Sequence, residues 1–332
     1  MMFKNKNILI TGGTGSFGFS FTKKILEKFK PKKIVIFSRD EFKQDEMRKY
    51  FNDKRLRFFL GDIRDRERIE LAMDGIDFVV HAAALKQVPA AEYNPMEFIK
   101  TNVLGAENLV QASIKCGVKK IIALSTDKAS NPINLYGASK LLSDKIFVSA
   151  NNIVGNKNIR FAVVRYGNVF NSRGSVFPVF KKIIDEKQNY FPITHPDMTR
   201  FIITLDEGIN FVIKSFERMY GGEIFIPKIK SLKILDLAAT MDKKKKIKYL
   251  GIRPGEKMHE FLFSSDETNL IYEFSNHYVL APAITFTHIS KKGYAKNKIG
   301  EMGKKMRKSF NYSSNTNMFL NKNEIKKLIN NN

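Results

Sequence analysis

The chain has 332 residues, 43% apolar and 27% charged, and its 57 Lys and Arg outnumber 33 Asp and Glu to give a formal net charge of +24. This composition is typical of a soluble globular protein and excludes an intrinsically disordered one. The longest apolar runs, such as residues 34–37 and 78–85, are too short to cross a bilayer.

The positive charge is compatible with nucleic acid, an anionic membrane surface or small anionic substrates as partners. Lysines occur mostly as scattered pairs, such as Lys23-Lys24 and Lys119-Lys120, which is typical of solvated helix faces. Basic residues nowhere interleave with aromatic ones as on a nucleic-acid platform, so we predict no nucleic acid and no membrane as partner. The lysine run at 243–246 is predicted to lie on a loop, and we assign it no role.

The N-terminus passes directly into a strand pattern and does not read as a signal peptide. The single cysteine, Cys116, excludes an internal disulfide and a cysteine-based metal site. Five histidines show no metal-ligand spacing. We therefore expect a cytoplasmic protein without a metal ion.

Strand and helix patterns alternate along the first half of the chain. Helical patterns include residues 17–30 and 95–115. Continuous apolar strands that alternate with helices predict an α/β fold, with a Rossmann-type doubly wound parallel sheet. The predicted strands cover residues 7–11, 33–38, 57–62, 77–84, 120–126 and 161–167.

After about residue 168 this alternation ends, and Gly, Pro and polar side chains interrupt residues 171–180 and 191–202. We predict a dinucleotide-binding domain over residues 1–167. A smaller C-terminal lobe over residues 168–332 is predicted to bind mainly the substrate and to be partly interleaved with the first domain. The last 40 residues are rich in Lys and Asn, and we expect them to fray.

A glycine-rich segment, TGGTGSFG at residues 11–18, follows the first strand and precedes a helix. Its G-x-x-G-x-x-G spacing permits a tight turn, a close approach of pyrophosphate to the backbone, and close packing of helix on strand. The N–H groups of the helix N-terminus would face the phosphates. The segment predicts a dinucleotide site, with a merely structural turn as the alternative. The predicted contacts are Gly12, Thr14, Gly15, Ser16, Phe17 and Gly18.

The end of the second strand distinguishes NAD from NADP. An acid there binds the ribose 2′-hydroxyl of NAD, whereas an Arg accommodates the 2′-phosphate of NADP. Ser38 and Arg39 stand at this position and Lys43 follows, so the sequence favours NADP, while Asp40 keeps NAD as an alternative.

Other cofactor contacts are predicted further along the chain. Asp62 and Ile63, after the third strand, suit the adenine edge. The small side chain of Ala82, after the fourth strand, would let a nicotinamide lie close to the backbone. Further predicted contacts are Lys86, Asn102, Tyr136, Lys140 and Val169.

The segment STDKASNPINLYGASK at residues 125–140 carries the candidate catalytic groups. Tyr136 and Lys140 are four residues apart, so a helix places them on one face. A nearby ammonium lowers the pKa of a phenol, which would let Tyr136 act as a base, and Thr126 could hydrogen-bond the same substrate hydroxyl. The alternative is an ordinary helix start, with Asp127 and Lys128 as an exposed pair.

These segments carry a family resemblance. TGGTGSFG, HAAALKQVP and STDKASNPINLYGASK resemble the extended short-chain dehydrogenase/reductases, and more narrowly the configuration-inverting UDP-N-acetylglucosamine 4,6-dehydratases. The resemblance continues through RYGNVFNSRGSVFP, MTRFIITL, GIRPGEKMHE and NYSSNTN, and so covers nearly the whole chain. Retaining sugar-nucleotide dehydratases typically carry Asp-Glu where this chain, like the inverting group, has Asp127-Lys128.

The resemblance implies a mechanism in which no external reductant is consumed. Tyr136, assisted by Lys140, takes the C4 hydroxyl proton while hydride moves from C4 to tightly bound NADP, which is recycled each turnover. Lys128 removes the C5 proton, Asp127 protonates the departing C6 hydroxyl, and hydride returns to C6. Reprotonation of C5 from the opposite face inverts the sugar. Lys128 must be neutral for this step, so its pKa is expected to be depressed by burial near Lys140 and the cationic nicotinamide.

The resemblance also implies substrate, pathway and assembly. UDP-N-acetylglucosamine would become UDP-2-acetamido-2,6-dideoxy-β-L-arabino-hex-4-ulose, for pseudaminic acid, flagellin glycosylation, capsule or another surface glycan. Relatives assemble as homo-oligomers, from dimers to hexamers.

Arginines are candidates for the two phosphates of a UDP-sugar, because a guanidinium presents several donors to phosphate oxygens. Arg173 and Arg253 are the arginines predicted for this role. Asn168 and Glu256 could hydrogen-bond phosphate, ribose or sugar hydroxyls. The resemblance adds Lys86 near the sugar, and Thr199 and Arg200 near the nucleotide.

Three alternatives remain open. A UDP-sugar 4-epimerase or 4-ketoreductase would not need Asp127-Lys128, because it eliminates no water. A non-catalytic dinucleotide-binding sensor would not need Tyr136 and Lys140. A basic nucleic-acid-binding protein on the same fold would show steeply salt-dependent binding to DNA.

Overall fold

The apolar runs of the first half form a parallel sheet, as their continuous patterns predict. The computed structural model describes residues 2–172, 174–285 and 293–331. Its strands are β1 (Asn7–Thr11), β2 (Lys33–Ser38), β3 (Leu56–Leu60), β4 (Phe78–His81), β5 (Lys120–Thr126), β6 (Arg160–Tyr166), β7 (Asn168–Val169), β8 (Tyr190–Ile193), β9 (Thr199–Ile203), β10 (Ile224–Pro227), β11 (Ser231–Lys233), β12 (Lys246–Tyr249), β13 (Phe261–Phe263), β14 (Ile271–Glu273), β15 (His277–Leu280), β16 (Lys304–Lys305) and β17 (Tyr312–Ser313).

The helices connect these strands and cover both faces of the sheet. They are α1 (Ser16–Lys28), α2 (Glu41–Phe51), α3 (Arg66–Met73), α4 (Val88–Tyr93), α5 (Pro95–Phe98), α6 (Gly105–Cys116), α7 (Leu135–Ile153), α8 (Val176–Asp185), α9 (Leu205–Arg218), α10 (Ile234–Met241) and α11 (Lys322–Asn330). The predicted helix over 95–115 is interrupted by a π-helical turn at Ile99–Leu104, between α5 and α6.

The large sheet has ten strands in the order β16-β14-β15-β10-β6-β5-β4-β1-β2-β3. The seven strands from β10 to β3 run parallel, and β15, β14 and β16 are antiparallel additions. Two separate clusters of buried apolar side chains cover its faces. The predicted Rossmann-type α/β fold is confirmed.

The order of the strands reverses at β1, which pairs with β2 on one side and β4 on the other. In a doubly wound sheet, ligands bind outside the carboxyl ends of the strands at such a switch point. The fold therefore directs the ends of β1, β2, β4, β5 and β6 toward one site.

The C-terminal half contributes both to the large sheet and to smaller ones. Strands β10, β14, β15 and β16 extend the main sheet, whereas β11-β9-β7, β12-β8 and β13-β17 form three small sheets. A third apolar cluster, which includes Phe180 and Phe191, lies under the small sheets. The two halves thus share the large sheet, and the division at residues 167 and 168 stays a prediction.

Two expectations for the second half need correction. The C-terminal segment does not fray throughout, because α11 begins with a capping box between Asn321 and Glu324 and buries Ile325 against the third cluster. The lysine run reaches beyond its loop, because Lys246 is the first residue of β12. Among the described residues, no helix is long and apolar enough to cross a membrane.

We predict that Gly18→Ala lowers the free energy of unfolding by about 1–3 kcal/mol, because the added methyl group overpacks the contact between α1 and the glycine-rich turn. A Cβ at Gly18 would lie 2.4 Å from the carbonyl oxygen of Gly13, and backbone cannot yield as a flexible side chain does. Urea denaturation of the protein without added ligand measures the effect.

Gly208→Ala is the matched control for this prediction. Gly208 lies in α9, and among the described residues no atom other than those of its chain neighbours and of its own helix backbone lies within 4 Å of the place where its Cβ would be. Alanine has the higher helix propensity, so this variant should be as stable as the native protein or slightly more so. Equal stability of the two variants would contradict the packing argument.

Candidate active site

A cavity of about 960 Å³ opens at the carboxyl ends of the central parallel strands. It brings together segments that are far apart in the sequence and that were predicted to bind cofactor or substrate or to act in catalysis. The predicted residues that line it are Gly12, Thr14, Gly15, Ser16, Phe17, Gly18, Ser38, Arg39, Asp40, Lys43, Asp62, Ile63, Ala82, Lys86, Thr126, Asp127, Lys128, Tyr136, Lys140, Asn168 and Val169.

One end of the cavity is formed by the glycine-rich turn between β1 and α1. Gly12 has a φ of +63°, and a Cβ there would lie 2.8 Å from the backbone nitrogen of Ala83. Gly15 precedes α1 and offers no side-chain cap, so the first N–H groups of the helix are left for another acceptor. A helix N-terminus without a cap, beside a turn that only glycine fits, suits the pyrophosphate of a dinucleotide.

The side chains after β2 carry a positive charge into the same end of the cavity. Asp40 is committed to protein contacts, because its carboxylate caps α2 through the N–H of Lys43 at 3.0 Å and pairs with the Lys43 ammonium. The hydroxyl of Ser38 accepts a hydrogen bond from Gln44 at 3.0 Å. Arg39 is more than half exposed, with its guanidinium 3.5 Å from the carboxylate of Asp62.

Asn102 is not among the residues that line the cavity, so its role as a cofactor contact stays a prediction. Its side-chain oxygen accepts the N–H of Leu85, and its amide nitrogen donates to the carbonyl of Leu85 and to the hydroxyl of Ser139. All three bonds are 2.9–3.0 Å long, and the residue is buried. Asn102 therefore holds the backbone of the loop after β4 in place through both polar groups of Leu85.

The catalytic candidates lie where β5 meets α7. Thr126 ends β5, Asp127 and Lys128 form a single 3₁₀ turn, and Asn134 caps α7 through the N–H of Gly137 at 2.8 Å. A Cβ at Gly137 would lie 2.3 Å from the carbonyl oxygen of Lys128, so only glycine lets the helix start pack against this turn.

Lys128 lies between two buried carboxylates. Its ammonium is 3.1 Å from Asp127 and 3.0 Å from Glu260, a residue of the second half. Burial alone would lower the pKa of Lys128, but the two negative charges outweigh it and raise the pKa above its usual value. The expected depression of this pKa was therefore wrong, because Glu260 was not foreseen.

The two carboxylates respond differently to this arrangement. Burial raises the pKa of Asp127, and the negative charge of Glu260 adds to the effect, although Lys128 opposes it. Burial would also raise the pKa of Glu260, but the positive charges of Lys128 and Arg200 outweigh it and lower that pKa. Of the two acids, Asp127 is therefore the one that holds a proton more readily.

Tyr136 also departs from expectation. Burial raises its pKa to about 12, while the charge of Lys128 and a hydrogen bond with Thr126 act in the opposite direction. Burial lowers the pKa of Lys140 on the same helix face, which the negative charge of Asp144 partly opposes. The expected lowering of the Tyr136 pKa by Lys140 was wrong, because burial dominates.

Residues predicted to bind substrate fall into two groups. Asn168 lines the cavity, and among the described residues its buried side-chain oxygen has no hydrogen-bond partner, as expected of a group that awaits a ligand. The buried hydroxyl of Thr199 is bonded to His259 at 2.8 Å and to Ser314 at 2.7 Å, and its contact with the nucleotide stays a prediction. Arg173 lies outside the described residues.

Arg200, Glu256 and Arg253 are not among the residues that line the cavity. The guanidinium of Arg200 is buried, 3.3 Å from Glu256 and 3.8 Å from Glu260. Arg253 is exposed on the loop between β12 and β13. Direct contact of these three with a substrate stays a prediction.

Sequence reasoning missed Glu260 and Lys257 of the same loop. Lys257 donates to the carbonyl of Ser130 at 2.9 Å, and Asn134 donates to that of Gly255 at 2.7 Å, so the loop is docked on the catalytic turn. The GEKMHE motif was noted in the sequence, but no local spacing connects it with Lys128.

Comparisons with known proteins agree with this geometry. The family described as "Polysaccharide biosynthesis protein" matches residues 8–282. The chain is 56% identical over 330 residues to a UDP-N-acetylglucosamine 4,6-dehydratase (inverting) of Campylobacter jejuni subsp. jejuni serotype O:2, covering 99% of this chain and 98% of that relative. It is 43% identical over 284 residues to a UDP-glucose 4-epimerase of Rickettsia canadensis, covering 83% of each.

Among solved structures, Pen from Bacillus thuringiensis superposes with a TM-score of 0.89 at 36% identity, covering 100% of this chain and 99% of that one. The similarity therefore extends through the C-terminal half that carries Glu260. The chain belongs to the polysaccharide biosynthesis protein family of extended short-chain dehydrogenase/reductases, in the group of the inverting UDP-N-acetylglucosamine 4,6-dehydratases.

Proposed function

We propose that this protein is a configuration-inverting UDP-N-acetylglucosamine 4,6-dehydratase, a hydro-lyase that forms UDP-2-acetamido-2,6-dideoxy-β-L-arabino-hex-4-ulose. The observation that carries the proposal is the ion pair of the buried Asp127 with the partly buried Lys128, which lines the same cavity as Tyr136. Elimination of water next to a carbonyl needs a base at C5 and an acid at the C6 hydroxyl, and this pair supplies both. The 56% identity to a dehydratase of this name supports it.

The two residues act as one unit. In the ion pair, Lys128 holds the proton and Asp127 is negative. The ammonium nitrogen of Lys128 lies 3.1 Å from a carboxylate oxygen of Asp127. Transfer of that proton to Asp127 gives a neutral amine, which is a base, and a carboxylic acid, which is a proton donor. Burial favours this neutral form over the ion pair, because both charges lose their hydration. The raised pKa of Lys128 therefore does not exclude it as the base.

The remaining steps are assigned to Tyr136, Lys140 and Thr126. Tyr136 takes the proton of the C4 hydroxyl, and Thr126 holds the same hydroxyl. Because burial raises the pKa of Tyr136, this step needs a phenolate stabilised by the charge of Lys128 and by the positive charge that an oxidised nicotinamide would bring when bound. Lys128 then removes the C5 proton that the 4-keto group has made acidic, and Asp127 protonates the departing C6 hydroxyl as water. Once hydride has returned to C6, C5 regains a proton on the opposite face, which inverts the sugar. When bound, the oxidised nicotinamide cofactor supplies a positive charge and the acceptor that carries hydride from C4 to C6.

A nicotinamide dinucleotide is the cofactor class that the cavity fits, and we propose that it is NADP, held tightly and recycled. Asp40, the acid that would favour NAD, is occupied as the cap of α2 and by Lys43. Arg39 remains at the rim, where a guanidinium can bind a 2′-phosphate.

The setting of the reaction is part of the same proposal. We place the enzyme in the cytoplasm, as a homo-oligomer between a dimer and a hexamer, supplying pseudaminic acid or a related surface glycan. Asn168, Lys86, Arg200, Arg253 and Glu256 are the proposed contacts of the UDP-sugar.

A UDP-sugar 4-epimerase is the second candidate, because the Rickettsia canadensis relative of that name is 43% identical. Tyr136 and Lys140 would serve that reaction equally well. Asp127 and Lys128 would then have no task in the chemistry, although a buried ion pair is costly to maintain.

The product formed from UDP-N-acetylglucosamine in D₂O tests the function. We expect a 4-keto-6-deoxy sugar with the L-arabino configuration and deuterium at C5, identified by NMR. Lys128→Met should abolish water loss and C5 labelling, because a thioether cannot take a proton. A D-configured product, or a sugar changed only at C4, would contradict the proposal and support a retaining dehydratase or an epimerase.

Cofactor choice is tested by the affinity of Arg39→Ala for NADP and NAD. Loss of a charge-assisted contact with the 2′-phosphate costs roughly 1.5–3 kcal/mol, which raises the Kd of NADP about 10- to 100-fold. The Kd of NAD should change little. Titration by intrinsic fluorescence or calorimetry measures both constants.

Arg57→Ala is the matched control for this titration. Arg57 is an exposed arginine of β3 that donates to the carbonyls of Lys54 and Leu56, outside the cavity lining. It should bind both cofactors as the native protein does. Equal weakening of NAD and NADP binding in Arg39→Ala would contradict the assignment of NADP.

A further inference from the structure

Glu260 is a buried carboxylate from the second half of the chain that reaches the catalytic turn. It lies immediately before β13, and its side chain is 1% exposed. Its backbone is fixed on both sides by Ser314, whose hydroxyl accepts the Glu260 N–H and whose N–H donates to the Glu260 carbonyl, each at 2.9 Å. The side chain is therefore aimed by a rigid backbone.

The contacts of this carboxylate are few. One oxygen lies 3.0 Å from the ammonium of Lys128 and 3.8 Å from Arg200, and within the described part of the chain the other oxygen has no hydrogen-bond partner. A carboxylate buried with incomplete hydrogen bonding costs several kcal/mol unless a charge compensates. Lys128 is the nearest such charge.

We propose that Glu260 is a positioning residue that aims the amine of Lys128 and sets the pH range in which Asp127 and Lys128 share one proton. This inference rests on the proposed dehydratase function for its kinetic part. Glu260 stays ionised and compensates the charge of Lys128. Asp127 can therefore be the protonated acid that gives its proton to the leaving hydroxyl.

The charged and titratable groups that act on Glu260, Asp127 and Lys128 come from four elements. Asp127 and Lys128 come from the 3₁₀ turn, Tyr136 from α7, Arg200 from β9 and Lys257 from the loop before β13. Removal of the negative charge at position 260 lowers the pKa of Lys128 and that of Asp127, since Glu260 raises both. Lys128 then loses its proton at lower pH, and Asp127 also ionises at lower pH.

The first test needs no substrate. Lysines labelled with ¹³C at Cε are titrated by NMR in the native protein and in Glu260→Gln, with Lys128→Arg to assign the signal. We expect the pKa of Lys128 to fall by roughly 1–2 units, because a charge removed at about 3 Å shifts a buried group by that order. An unchanged pKa would overturn the proposal whatever reaction the protein catalyses.

The second test uses UDP-N-acetylglucosamine. In Glu260→Gln, we expect kcat for water loss to fall about 100-fold with KM little changed, because the amine is no longer aimed. The acidic and the basic limb of the pH–rate profile should both move to lower pH, because the pKa values of Asp127 and Lys128 both fall. Oxidation at C4 depends on Tyr136, so reduced nicotinamide should form at a near-native rate and accumulate. A native profile with no accumulation would overturn the proposal.

Glu223→Gln is the control for loss of a buried carboxylate, and Glu260→Asp separates the charge of Glu260 from its position. Glu223→Gln removes another buried carboxylate, which accepts the N–H groups of Tyr220 and Gly221 away from the cavity, and should leave both limbs in place. If Glu260→Gln fails to fold, Glu260→Asp retains the charge on a shorter side chain. It should lose rate with little shift of the limbs, and a native rate would overturn the positioning role.

The two proposals fail separately. If the native protein releases no water from UDP-N-acetylglucosamine, the dehydratase function is wrong, while the NMR titration still decides the role of Glu260. If the native protein dehydrates the sugar and Glu260→Gln behaves like it, only the role of Glu260 is wrong.

Discussion

The structure of the site depends on one interaction, the contact of the partly buried Lys128 ammonium with the buried carboxylates of Asp127 and Glu260. Two acids and one amine this close together titrate as a group, in which a proton moved between neighbours changes the charge of both. The Asp127–Lys128 pair can thereby supply base and acid together. A lysine in water, with its pKa far above neutrality, could not do so.

Contacts from both halves of the chain hold Asp127, Lys128 and Glu260 together. Gly137 lets α7 start directly against the turn that carries Lys128, and the same helix presents Tyr136 and Lys140 to the cavity. The loop before β13 is fixed to this turn through Asn134 and Lys257, so the carboxylate of Glu260 arrives from the opposite side. The parallel sheet supplies the cofactor end, and the C-terminal half supplies the third charge.

The sequence was sufficient for features encoded by local pattern. The strands, the turn around Gly12 and the Tyr136–Lys140 spacing all follow from short-range rules. It failed where a property depends on burial or on distant contacts. The pKa values of Lys128 and Tyr136 were wrongly predicted, because neither the depth of the site nor Glu260 can be read from residues 125–140. The hydrogen bonds of Asn102 could not be predicted for a similar reason, since its partners Leu85 and Ser139 lie in two other segments.

Stopped-flow observation of nicotinamide reduction in Asp127→Asn shows whether Asp127 supplies the proton for water loss. We expect this variant, mixed with UDP-N-acetylglucosamine, to reduce its bound cofactor at a near-native rate and then to stall with the cofactor reduced, because asparagine cannot protonate the leaving hydroxyl. Reoxidation at the native rate, with normal release of the 6-deoxy product, would show that Asp127 is not the acid.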